Sequence, residues 1–127
     1  MIRILFLIGL GGFLGSISRY LTGLFFVRFW PDVFSLGTFI ANILGCFLIG
    51  LFVGLAQKNE SLNPAWKMFF VVGFCGGYTT FSSFSLENLQ FLQKAQYINF
   101  GIYAFSSLIL GLLAVVAGFL FAKILNI

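Results

Sequence analysis

The sequence predicts an all-α integral membrane protein with four transmembrane helices, the third broken near mid-membrane. Three observations carry that prediction. The 127 residues are 61% hydrophobic and 8% charged, with a mean hydropathy of +1.09, whereas a soluble domain carries about 25% charged residues. Four apolar runs each reach the roughly 20 residues that a spanning helix needs. The third run is interrupted in the middle by Gly76 and Gly77 and then by a series of hydroxyls, in Gly73-Phe-Cys-Gly-Gly-Tyr-Thr-Thr-Phe-Ser-Ser-Phe-Ser85. In hydrocarbon no water is present to satisfy freed backbone groups, so irregular backbone persists only where protein buries it or a polar cavity borders it.

The first span is expected over residues 4–27, the second over 34–56, the third over 66–91 and the fourth over 98–121. Pro31-Asp32 separates the first two. A polar stretch, 57–64, precedes the third and ends on Pro64, which suits a helix start because its missing N–H would have had no partner there. Residues 93–96 separate the last two. Trp30, Trp66 and Tyr97 fall at span ends, where amphipathic rings prefer to lie. The length fits one domain, 1–127. The first apolar run is of full span length and lacks a cleavage-site pattern, so it reads as a span rather than a signal peptide, with no soluble domain expected at either end.

Four spans put both termini on one side, together with Arg3, Lys58, Lys67 and Lys123. The opposite side holds Arg28 and Lys94, and Arg19 lies inside span one, where a snorkelling conformation toward an interface is expected. The four-to-two bias is weak, compatible with a single cytoplasmic-termini topology or with insertion in both orientations. Small residues at Gly11…Gly15, at Gly50…Gly54 and along Ser107, Gly111, Ala114 and Gly118 predict close helix approach, within one subunit or between two.

Composition excludes several classes. The chain has no histidine and only three acids, Asp32, Glu60 and Glu87, the first two in loops. It offers no carboxylate pair, no nucleophile with a base and no phosphate-cradling loop, so an enzyme is not expected. The charge of +4 is scattered rather than gathered in a stripe, which argues against nucleic acid. Cys46 and Cys75 sit in apolar runs and read as small buried side chains.

The polar groups that remain are mostly neutral donors. Thr38, Asn42 and Gly45 share one face of span two; Thr80, Ser83 and Glu87 share one face of span three. Singly, such residues are interhelical hydrogen-bonding groups. Two aligned polar faces beside a broken helix instead suggest an ion path. Glu87 is the only acid within a span and fits either a path-lining or an interfacial role. Phe81 and Phe84 flank the polar stripe, and an aromatic ring edge carries partial positive charge that can face an anion. The break is expected to leave free carbonyls near Cys75 and Gly76 and free N–H groups near Thr79 and Thr80, able to face a cation and an anion respectively.

Three motifs place the chain beside a known family: Gly11-Gly-Phe-Leu-Gly-Ser-Ile-Ser-Arg-Tyr20, Gly37-Thr-Phe-Ile-Ala-Asn-Ile-Leu-Gly45 and the Gly73–Phe84 segment. The chain resembles the CrcB/Fluc family of small fluoride channels over nearly its whole length. The resemblance implies a passive fluoride-selective channel of the cell membrane, built as an antiparallel dual-topology homodimer with pores running between subunits. It implies a fluoride pathway through Asn42, Phe81 and Phe84, with Thr38, Thr80, Ser83 and Glu87 along it. It also implies a structural sodium ion at the dimer centre, held by backbone carbonyls of Gly76 and Thr79, and it matches Arg19 without fixing a role. The rival expectations are a four-span proton-coupled exporter of drugs or guanidinium, which would want a carboxylate in its pocket, and a non-transporting assembly factor, which would leave the aligned donors without a purpose.

Overall fold

A computed structural model describes residues 1–125. Every regular element among them is helical: α1 (Ile2–Phe29), α2 (Leu36–Lys58), α3 (Pro64–Lys67), a π-helical segment (Met68–Cys75), α4 (Gly76–Tyr78), α5 (Phe81–Gln93) and α6 (Tyr97–Ile124). The pieces from Pro64 to Gln93 form one interrupted span, so the protein crosses the membrane four times, by α1, α2, this composite third span and α6. The helices extend a few residues beyond the expected spans at most ends. Asn63 caps α3 by accepting a hydrogen bond from the Ala65 N–H at 3.0 Å, and Pro64 occupies the first turn.

Large apolar side chains on α1 and α6 point outward, among them Phe13, Leu24, Phe105 and Leu112. The interior is made of close-packed glycines, Ala41, Cys75 and Ala122, with three aromatic rings, Tyr78, Phe91 and Tyr103, buried among them. This suits a solvent of lipid, where helices gain nothing by hiding Leu from hydrocarbon and associate by close backbone packing. Two helix pairs carry most of the contact: α2 lies along α6, and α1 lies along the first half of the third span. The glycine pairs divide cleanly between them. A Cβ on Gly11 or Gly15 would overlap the backbone oxygens of Phe69 or Phe74, and one on Gly50 or Gly118 would overlap Val115 O or Phe47 O. All these contacts lie within one chain. Lys58, at the end of α2, donates to the carbonyls of Ala122, Lys123 and Leu125 at the end of α6, so the two helices finish side by side.

The break in the third span falls later than the glycines suggest. Gly76 has ordinary helical angles (φ −63°, ψ −36°), and the first half-helix continues through Tyr78. The chain leaves the helix at Thr79 (φ −82°, ψ 155°) and Thr80 (φ −150°, ψ 115°), both extended. β-Branched residues suit extended backbone, whereas Gly73 and Gly77 serve the helix contact: a Cβ there would come within 2.7 Å of Ile8 O and 2.6 Å of Gly12 O. The free ends therefore sit at Gly76–Thr80 rather than beginning at Cys75, whose carbonyl accepts from both the N–H (3.0 Å) and the hydroxyl (2.8 Å) of Thr79.

Candidate functional site

Asn42 on α2 holds the break. Its Oδ1 accepts from the Thr80 N–H at 2.7 Å and its Nδ2 donates to the Thr80 carbonyl at 3.2 Å. One side chain thus satisfies both backbone groups of an extended residue that has no ladder or helix of its own. An unbroken helix would give that Thr80 N–H to the Gly76 carbonyl. With it diverted, the Gly76 and Thr79 carbonyls accept no hydrogen bond within the described residues. Thr80 in turn caps α5, its hydroxyl accepting from the Ser83 N–H at 3.1 Å and sharing a bond with Ser82 Oγ at 3.2 Å. The absence of a Cβ on Gly45 makes the close approach possible, since one would overlap the Thr79 methyl.

These groups border an open groove of about 290 Å³ lined by Asn42, Gly76, Thr79, Thr80, Phe81 and Phe84, with Cys46, Cys75 and Ser107 among its other walls. An amide nitrogen has two hydrogens, and the second one of Asn42 has no acceptor among the described residues. Phe81 and Phe84 stand 5.8 Å apart between centroids, their planes inclined by 39°. Phe81 is 76% exposed. Ser107, which reads in the sequence only as a small packing residue, places on this groove a buried hydroxyl with no partner among the described residues.

The remaining expected residues lie further along the molecule. Glu87 accepts from Thr38 Oγ1 at 2.8 Å and from Tyr103 Oη at 2.7 Å, one donor on each carboxylate oxygen. It is thereby tied to span two and span four. A second groove, of about 500 Å³, is lined by Arg19, Thr38 and Glu87 together with apolar residues of α1 and α2. Ser83 lies on α5 and lines neither groove. Arg19 does not snorkel away. Its Nε donates to the Gly77 carbonyl at 3.3 Å, near the C-terminal end of the first half-helix, where the helix dipole favours a cation.

Two polar residues escaped the sequence reading. Tyr103 is buried, holds Glu87, and lies with its ring centroid 5.2 Å from that of Phe84, the planes inclined by 53°, so it joins the aromatic pair to the carboxylate. Its spacing of four from Ser107 on α6 was the available signal. Tyr78, also buried, shares a hydrogen bond with Thr22 at 2.9 Å and fixes the end of the first half-helix to α1. Nothing in the structure explains the buried, unpartnered Oδ1 of Asn88.

A four-span membrane protein with a broken third span, a half-buried amide at the break and neutral donors beside it defines a class: an apolar helical bundle that carries polar groups at a helix break within a span. Comparison with known proteins narrows it. The profile of the family described as "CrcB-like protein, Camphor Resistance (CrcB)" matches residues 6–119. Proteins named "Fluoride-specific ion channel FluC" are similar over nearly the full length. That of Azobacteroides pseudotrichonymphae genomovar. CFP2 is 45% identical, over 97% of this chain and 98% of its own. That of Flavobacterium psychrophilum is 46% identical, over 95% and 98%. That of Gloeothece citriformis is 47% identical, over 97% and 98%. The chain belongs to the CrcB-like family.

Proposed function

We propose that this protein is a passive fluoride-selective channel, not an enzyme, and that Asn42 with the ring edges of Phe81 and Phe84 forms its anion path. The observation that carries the reading is the extended Thr79–Thr80 break, stitched to Asn42 so that neutral donors meet one groove at membrane depth. The similar proteins named as fluoride-specific channels support the same ion.

The chemistry suits a small, strongly hydrated anion. A conducting site must replace the hydration shell yet release the ion. An amide N–H, hydroxyls and aromatic edges are donors without net charge, so they bind weakly. Arg19 is engaged by the Gly77 carbonyl and stands at the second groove rather than beside Asn42. Thr38, Thr80, Ser83 and Glu87 continue the polar line on this reading, with the Glu87 carboxylate engaged by its two donors. Reconstituted into liposomes, the protein should release fluoride rapidly, as read by an ion-selective electrode, and retain chloride; equal loss of the two ions, or of neither, would refute the reading.

The working unit on this reading is an antiparallel homodimer. The 76% exposure of Phe81 supports it, because a ring that lines a pore needs a second wall. The Gly76 and Thr79 carbonyls fit a sodium site between two such chains. They lack donors, and a Cβ at Gly76 would meet nothing within 4 Å, so the face is open. Oxygen donors without net charge suit a hard monovalent cation. When bound, the ion would supply a fixed positive charge close to the anion path in a medium of low dielectric.

A further inference from the structure

Glu87 has two sides. The Thr38 side opens on the groove that carries Arg19. The Tyr103 side faces a different groove, of about 570 Å³, whose walls include Tyr103, Asp32, Lys94 and Asn99. Lys94 is exposed, just past the end of α5, and its Nζ lies 5.3 Å from the ring centroid of Phe34, another wall of the same groove. Tyr103 thus touches both the Lys94 groove and, through its 5.2 Å contact with Phe84, the wall of the groove at Asn42.

We propose that the Lys94 groove is a second mouth of the anion path, in which the Lys94 ammonium concentrates fluoride in front of the Tyr103–Glu87 pair. The inference rests on the fluoride reading above and extends it. A cleft with low-dielectric walls focuses the field of a charge at its rim and raises the local concentration of a counter-ion. Asp32 shares the groove and opposes Lys94, so the two charges set the sign of the mouth between them. No other ionisable group except Tyr103 lines it.

Fluoride current through single channels in planar bilayers, recorded at low and at high ionic strength, tests the proposal. K94Q should lower the current about threefold at ~10 mM salt, where the Debye length is about 30 Å, and hardly at all at ~1 M, where it is about 3 Å. D32N should raise the low-salt current, and K94R should keep the salt dependence of the unsubstituted protein. K94Q currents equal to those of the unsubstituted protein at both salts would overturn the mouth and leave the channel reading standing. So would an equal loss in K94Q and K94R at both salts, which marks a packing role over Phe34. No fluoride current from the unsubstituted protein would remove the channel reading, and this mouth with it.

Discussion

At the scale of single residues, Asn42 does two things with one amide. Its oxygen and one N–H complete the backbone of Thr80, and its second N–H is left for the groove. Asn42→Asp keeps the acceptor for the Thr80 N–H but removes both amide donors and places a negative charge on an anion path. Fluoride efflux from vesicles should fall to background. The lost bond to the Thr80 carbonyl should cost about 1–3 kcal/mol of stability, the range for stranding a buried polar group, seen as a lower melting temperature in detergent. Efflux at the rate of the unsubstituted protein would reduce Asn42 to a helix-packing residue. The Glu87 cluster follows the same economy: a carboxylate within a span is costly, and Thr38 and Tyr103 each give one oxygen a donor.

At the scale of elements, glycine pairs set how closely the helices lie, and the threonines set where the third span opens. Gly15 and Gly101 make a matched contrast. A Cβ at Gly15 would overlap Phe74 O, while one at Gly101 meets nothing within 4 Å. Gly15→Ala should push α1 off the third span, lowering the thermal midpoint and abolishing fluoride flux, because Arg19 and Tyr78 lose their partners across the same contact. Gly101→Ala should be neutral or stabilising by about 0.5–1 kcal/mol, since alanine is the better helix former. A Gly15→Ala protein as stable and as active as Gly101→Ala would contradict this division. The four spans, their order and the fact of a break were legible in the sequence, because apolar length and a polar interruption are local properties of the chain. The position of the break was not. Gly76 and Gly77 look like the weak point in one dimension, but both stay helical, Gly77 against Gly12 of α1, and only the tertiary arrangement reveals that Thr79 and Thr80 carry the extended backbone. The π-helical winding of Met68–Cys75 left no sequence mark either. Nor did the partners of Glu87, which lie 49 and 16 residues away.

At the scale of the whole molecule, the chain carries an apolar exterior, an interior of close glycine contacts and a few buried aromatic rings, and grooves that lie open along its sides. In the proposed antiparallel dimer a second copy would close the groove at Asn42 and bring two sets of Gly76 and Thr79 carbonyls together. If sodium occupies that junction, fluoride efflux from vesicles prepared with sodium should exceed efflux from vesicles in which a bulky organic cation replaces it throughout. Identical efflux in the two would exclude a sodium requirement while leaving the fluoride path intact. The central claim is narrower: uncharged donors at the break select fluoride. Its most direct measurement is the reversal potential of the protein in a planar bilayer with fluoride on one side and chloride on the other. The account predicts a potential set by fluoride alone, near the limit for a membrane impermeable to chloride. A potential near zero under that bi-ionic condition, with current flowing, would mean that the two halides pass equally and that the donors at Asn42, Phe81 and Phe84 do not discriminate.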